Sequence, residues 1–322
     1  MNFARCLLPT ICGFALAANT CVAAELVDYC PPNAKQVFVV DVARFQASPA
    51  GKSLLGDRSI VEFVKAEAFR HPPNSEADWN RFPQREAIEH FAGKTSQLMY
   101  FDVGGFLSLG IICKGEYDKQ RIQKVMEELA ASNKKTLEIS VKPHYTMFSI
   151  GEDSTLLFVD DKTVAYVLGK GRHREAMLKL LDQDEIPPAT ARCAVIVKKL
   201  HGDREVCVAA ACEEARRGLF DDGDEEFEKT YDIVERTVAS RANELGFKYR
   251  KVHVEAKQAK EAVAAAKRKR DEMVEKNPKS AGAEALRKTS IEQVDKQELV
   301  EGKVDVGVLK EDLLEILFFS AD

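Results

Sequence analysis

No G-x-S-x-G elbow, no H-E-x-x-H pair and no C-x-x-C spacing occurs in the sequence. Those absences remove local support for an esterase-type nucleophile, a zincin site and a thiol-based redox or zinc site. Gly93-Lys94-Thr95 matches the end of a phosphate loop, but Ile88 stands where the first glycine of G-x-x-x-x-G-K-[ST] belongs, so the backbone cradle for a nucleotide is not supported. The histidines at 71, 90, 144, 173 and 201 are scattered. His253 and Glu255 are expected on one face of one strand, yet two potential ligands do not make a zinc site. Gly169-Lys170-Gly171 opens a helix whose amides could hold an anion, and glycine's ordinary use in turns accounts for it equally simply. No catalytic, cofactor-binding or metal residue is assigned, and no cofactor is implied.

Cysteine is present but unpatterned. Of eight in the chain, Cys6, Cys12 and Cys21 lie in the first 24 residues, which leaves Cys30, Cys113, Cys193, Cys207 and Cys212. An odd number leaves one thiol unpaired, and five are too few for a disulfide framework in a chain of this length. Cys113 follows Ile111-Ile112 and is expected as a small core residue. Cys207 and Cys212, five residues apart, would point to opposite faces of a strand.

Long apolar runs are also missing. The longest, Cys6–Ala18, is shorter than the roughly 20 residues a membrane-crossing helix requires. With Arg5 before it and Val22-Ala23-Ala24 after it, the run reads as a secretory signal peptide over residues 1–24, cut before Glu25. The expected mature protein is exported, periplasmic or extracellular, without an integral membrane segment. Removal of the leader takes 24 of the 322 residues and, with Arg5, moves the formal charge from −5 to −6. The remaining 298 residues are enough for one large domain or two medium ones.

The residues that are present specify sheet and helix in alternation. Val37-Phe38-Val39-Val40-Asp41-Val42 reads as a strand covered on both faces. Ser48-Pro49 starts a helix with Ser as N-cap and Pro at the first helical position. Residues 59–69 fit a further helix, and Trp79 and Phe82 an aromatic-anchored connection. Strands are expected at 98–101 and 106–114 around Gly104-Gly105. The spacing of Ile122, Val125, Met126 and Leu129 predicts a helix over 118–131. Strands at 139–141 and 146–150 follow, then a hairpin from Leu156–Val159 to Val164–Leu168 and a helix carrying Ala176, Met177, Leu180 and Leu181. Strand, helix and strand in succession suggest a mixed sheet, because a crossover is needed.

Pro187-Pro188 marks a boundary, after which a similar order recurs. Cys193–Val197 reads as the opening strand of the second unit. Val206–Leu219 fits a strand or a buried helix equally well. Glu225–Leu245 is expected as a helix, because Phe227, Tyr231, Val234, Val238, Ala242 and Leu245 recur at intervals of three and four. Lys257–Lys276 reads as a longer polar helix. A hairpin about Glu301-Gly302 and a helix with Leu313, Leu314, Ile316, Leu317 and Phe319 end the chain. The expected fold is therefore α+β: a first unit over 25–188 and a related second unit over 189–322, each with strand-helix-hairpin-helix order. Mixed or antiparallel sheets covered by helices would result.

Charge is the one feature with contrast. Residues 213–235 are mostly acidic and 248–279 mostly basic, with Lys267, Arg268, Lys269 and Arg270 in succession. Such a tract can meet an anionic surface. On a helix, however, four consecutive residues point to every side, and no aromatics interleave to stack bases, so nucleic acid is not the expected partner. Solvation, or complementarity with the acidic segment, accounts for the tract more simply.

Pro31-Pro32-Asn33-Ala34, the strand from Val37 to Val42, and Ser48-Pro49-Ala50-Gly51-Lys52 together resemble the opening of a group of uncharacterised exported bacterial proteins. That resemblance implies tandem α+β units and carries no activity or site residue. Three readings of function follow. The first is a non-enzymatic protein-interaction or structural module that meets another envelope or extracellular protein, or itself. The second is an enzyme whose site is assembled from dispersed residues in a cleft between the units. The third is an anionic-polymer binder acting through Lys248–Lys279.

Overall fold

Val37 and Val39 alternate with Phe38 and Val40, so a strand built from them offers apolar side chains to both of its faces. In the computed structural model that strand lies in the middle of a sheet with helices packed on each side. The structure describes residues 23–55, 91, 93–104, 109–132, 134–151, 154–168, 171–183, 186–201, 206–214, 233–241, 244–276, 278–279 and 281–305. In chain order the described elements are α1 (Ala23–Asp28), β1 (Gln36–Asp41), α2 (Val42–Ala47), α3 (Pro49–Leu55), β2 (Thr95–Asp102), β3 (Leu109–Gly115) and α4 (Lys119–Ser132). Next come β4 (Leu137–Val141), β5 (Thr146–Ile150), β6 (Ser154–Phe158), β7 (Thr163–Leu168), α5 (Arg172–Leu181), α6 (Arg192–His201) and β8 (Cys207–Glu214). The last are β9 (Ile233–Arg241), β10 (Glu244–Val252), α7 (Ala256–Lys276), α8 (Ala281–Arg287), β11 (Ser290–Val294) and β12 (Gln297–Asp305).

The described strands form one sheet in the order β11-β12-β10-β9-β8-β1-β2-β3-β7-β6-β5-β4. Every pairing in it is antiparallel. The protein is thus α+β, and of the two expected arrangements, mixed or antiparallel, the described sheet is antiparallel. The reason is the path of the chain: α4 carries it from β3 to β4, four places away in the sheet, and the successive hairpins β4-β5, β5-β6 and β6-β7 lead back to pair β7 with β3, so α4 does not bridge parallel neighbours. β1 joins the two ends of the chain, pairing with β2 (Val39 opposite Met99) and with β8 (Val39 opposite Val208).

Side-chain alternation then assigns each face its helices. Val37, Val39, Met99, Phe101, Ile112, Leu157 and Val208 meet α1, α5 and α6 through Leu26, Val27, Met177, Leu181, Cys193 and Val197. On the other face Leu98, Ile111, Phe148, Leu156 and Phe158 meet α2, α3 and α4 through Val42, Leu55, Ile122, Met126 and Leu129. Each such large side chain, removed from water, contributes about 1.5–3 kcal/mol. The helix ends are satisfied locally. The Ser48 hydroxyl accepts from Gly51 N at 3.0 Å, and the Asp118 carboxylate accepts from Gln120 N at 2.9 Å.

Three expected elements take a different form. Cys193–Val197 is helical, within α6. Cys193, Ala194 and Val197 are buried while Val195 faces solvent, a helical pattern hidden in a short apolar run. The strand beside β1 is instead β8, which resolves the ambiguity over residues 206–219 for its first part. Residues 233–241, expected in a long helix, form β9 between β8 and β10, and Leu245 lies in β10. Val234 and Val238 are four apart, an even spacing that suits one face of a strand as well as one stripe of a helix. Ile233, Val234, Thr237 and Val238 are all β-branched, and pairing on both sides decides for the strand.

The hairpin expected about Glu301-Gly302 turns elsewhere. β12 runs straight through this pair, and the turn is Asp295-Lys296, with Asp295 at φ 52°. Gly302 sits opposite Phe247, and a Cβ there would lie 2.3 Å from the end of the Phe247 ring. Its glycine makes room for an aromatic ring and not for a turn. The expected helices at 59–69 and 313–319, and the anchors Trp79 and Phe82, lie outside the described residues.

Candidate functional site

The two outer strands of the sheet have one described neighbour each. At one end β4 pairs with β5, placing Leu137 opposite Ile150, Ile139 opposite Phe148 and Val141 opposite Thr146. Phe148 and Ile150 belong to the core under α4, and Leu137 packs against that core. By alternation Ile139 and Val141 extend the same apolar face outward, past the helix that covers it. Ile139 is 46% exposed and Val141 76% exposed. Glu138 and Lys142 are exposed, and alternation places both on the opposite face, together with Ser140. The ladder continues one step past β4, because Lys142 N donates to Tyr145 O at 2.8 Å before the turn at Pro143-His144.

The sequence-derived basic tract lies on α7. Lys267, Arg268 and Lys269 are exposed. Arg270 is half-buried and turned to structural use: Nη1 donates to Thr289 O at 3.3 Å, and Nε donates to the Asp271 carboxylate at 2.9 Å. The four residues therefore do not share one face, as helical geometry requires of consecutive positions. Glu261, Asp271, Glu272 and Glu275 lie exposed along the same helix.

Two buried histidines, each facing a carboxylate, were not legible in the sequence. His173, 1% exposed, places Nε2 2.9 Å from Asp102 Oδ1 and 3.1 Å from Val103 N, with its ring stacked on Phe101. Asp102 also accepts from Gly104 N at 2.8 Å, where Gly104 has φ 84°. Burial pushes the Asp102 carboxyl up, but hydrogen bonds from His173 and Gly104 and the charges of His173 and Lys35 outweigh it and hold the group below its ordinary value. The pair thus fixes the exit of β2. His253, expected to share a strand face with Glu255, instead follows the end of β10. There Nε2 lies 3.3 Å from Glu298 Oε2, while Glu255 is exposed just before α7. In both cases the partner is 45 or more positions away in sequence, beyond any spacing rule.

The remaining candidates are structural. Thr95, the last residue of the phosphate-loop-like triplet, opens a strand and shares a 2.7 Å hydrogen bond with Tyr117 Oη. Gly171 precedes α5 at φ 86°, while residues 169 and 170 lie outside the described residues. All five described cysteines are free thiols. Burial pushes Cys113 and Cys193 up to about 12, so neither is a ready nucleophile at neutral pH. Among the described residues no group of three or more potential ligands could hold a metal, and no helix is long and apolar enough to cross a membrane.

Geometry thus defines a protein with an antiparallel sheet covered by helices and an apolar edge, and no chemistry is built into that edge. No family model and no curated protein matches the chain. Among solved structures it is similar to crystal form I of TP0453, at 11% identity and a TM-score of 0.47, covering 94% of this chain and 98% of that one. Crystal form III of the same protein gives 11% identity and a TM-score of 0.41, covering 91% of this chain and 97% of that one.

Proposed function

We propose that this is an exported, non-enzymatic interaction module that engages another protein chain through the β4 edge. The observation that supports it most directly is Val141, 76% exposed on an outer strand whose apolar face is continuous with the core. Soluble sheet proteins usually blunt such edges with charge, proline or cover; β4 carries Glu138 and Lys142 on its other face and Pro143 after it, yet leaves Ile139 and Val141 uncovered on the core side, an apolar strip to which another strand can add. Strand addition uses backbone N–H and C=O groups for affinity and alternate side chains for specificity. A photo-crosslinking residue at position 141 is expected to give adducts in the cell of origin, whereas one at Val195, half-exposed on α6, gives none. Equal yields, or none from 141, would overturn the reading. Export requires the leader to be removed: the amino terminus of the purified protein is expected at Glu25, and retention of Met1 would disprove it.

A further inference from the structure

We infer that the chain that adds to β4 is a second copy of this protein, paired antiparallel about Ser140. The inference rests on the reading of β4 as an interaction edge and names its partner. A two-fold axis perpendicular to the sheet and passing between the two Ser140 residues generates an antiparallel pair, the arrangement every described pairing in the sheet already has. In that register Ile139 of one copy stands across from Val141 of the other, and Glu138 stands across from Lys142. Symmetry repeats each pair, so the seam contains two apolar contacts and two ion pairs.

The axis keeps each face on its own side. Ile139 and Val141 of both copies meet on the side covered by α4, extending the core across the seam, while the Glu138–Lys142 pairs form on the other side. Both sets of residues are exposed in the single chain, so pairing removes apolar surface without burying a charge that lacks a partner. Charge also selects the register. Pairing about Ile139 would set Glu138 against Ser140 and Lys142 against Thr136, losing both ion pairs. The other outer strand lacks this self-complementarity: pairing β11 about Glu292 would set Glu292 against itself, Ile291 against Gln293 and Ser290 against Val294, with no ion pair.

A five-residue strand is a small interface, and association is expected in the micromolar range instead of as an obligate dimer. Sedimentation equilibrium on the full exported chain should show a monomer–dimer equilibrium. Glu138→Lys and Lys142→Glu, each placing like charges across the seam, are each expected to weaken it about tenfold. The double variant Glu138→Lys/Lys142→Glu restores the ion pairs in reverse and should return the affinity to within about threefold of the original. Because these side chains are exposed, far-UV circular dichroism and the melting midpoint should be unchanged in all three. Single variants with unaltered association, or a double variant no better than the singles, would overturn the register and with it the proposal. A strict monomer that still crosslinks from position 141 to a different protein would reject the second copy while leaving the interaction reading intact. A strict monomer with no crosslink would reject both.

Discussion

β4 and β11 are both five-residue strands, each with one described neighbour, and they end opposite sides of the same sheet. Their exposed backbones pose the same problem and the side chains answer it differently. β11 carries Glu292 and Gln293 outward, buries Ile291, leaves only Val294 half-exposed at its turn end, and is tied to α7 by the Gln293 hydrogen bond and to α8 by the turn at Thr289. Nearby, Arg270 holds the α7 flank through Thr289 O. β4 has α4 over its inner end only, and its outer end presents Ile139 and Val141. An edge is therefore sealed or left open by residue pattern and cover, not by strand length.

The strongest way to sharpen this contrast is to remove the core beneath each edge. Phe148→Ala, under β4, is expected to cost about 3–5 kcal/mol, and Ile291→Ala, in the thinner packing beside α7, about 2 kcal/mol, measured by urea unfolding. Equal losses would erase the difference in core depth. Gly302→Ala drives a methyl into the Phe247 ring in β10 and should destabilise by about 1–3 kcal/mol in the same assay. A neutral result would mean that the Phe247 ring has room to move.

Asp102→Asn tests the buried pair on the β4 half, with an expected loss of about 1–2 kcal/mol near neutral pH. The Asp102 carboxyl is held below its ordinary value in the folded protein, so its stabilisation is fully present above the unfolded pKa, near pH 4, and is lost as pH falls through the lower folded value. Wild type should therefore lose part of its stability below about pH 4, and the variant should lose less. Parallel curves would contradict the assignment. The smallest effects are expected at the edges themselves. Val141→Lys and Val294→Lys should each change unfolding free energy by no more than about 0.5 kcal/mol, and only the first should abolish self-association in sedimentation.

Much of the α+β character was legible. Strands over 98–101, 139–141, 146–150 and 164–168 follow from short apolar segments between turn signals, the central ones buried on both faces, and helices over 118–131 and 257–276 from a period of 3.6 that puts one side of each in the core. Reading failed where two periods agree, as for Val234 and Val238, and where a short apolar run carries no period, as for Cys193–Val197. Gly302 misled for a different reason. A glycine in an alternating segment signals either a turn or a close neighbour, and the neighbour, Phe247, is 55 positions away.

For the candidate site the limit was sharper. Ile139-Ser140-Val141 read as a strand, but nothing local says that it is the last one in the sheet. Likewise Lys267 to Arg270 looked continuous in sequence, and the helix distributes them around its axis and turns Arg270 inward.

What the sequence determined alone was local: which segments alternate, which are amphipathic, and where Ser48 and Asp118 start helices. Those properties depend on residues a few positions apart. Tertiary structure decided that β1 lies between β2 and β8, that His173 faces Asp102 and His253 faces Glu298, and that β4 is left at the rim with Val141 uncovered. Pairing order and exposure depend on contacts between distant segments, and the free energy of those contacts is shared among many residues of which no single stretch carries the record.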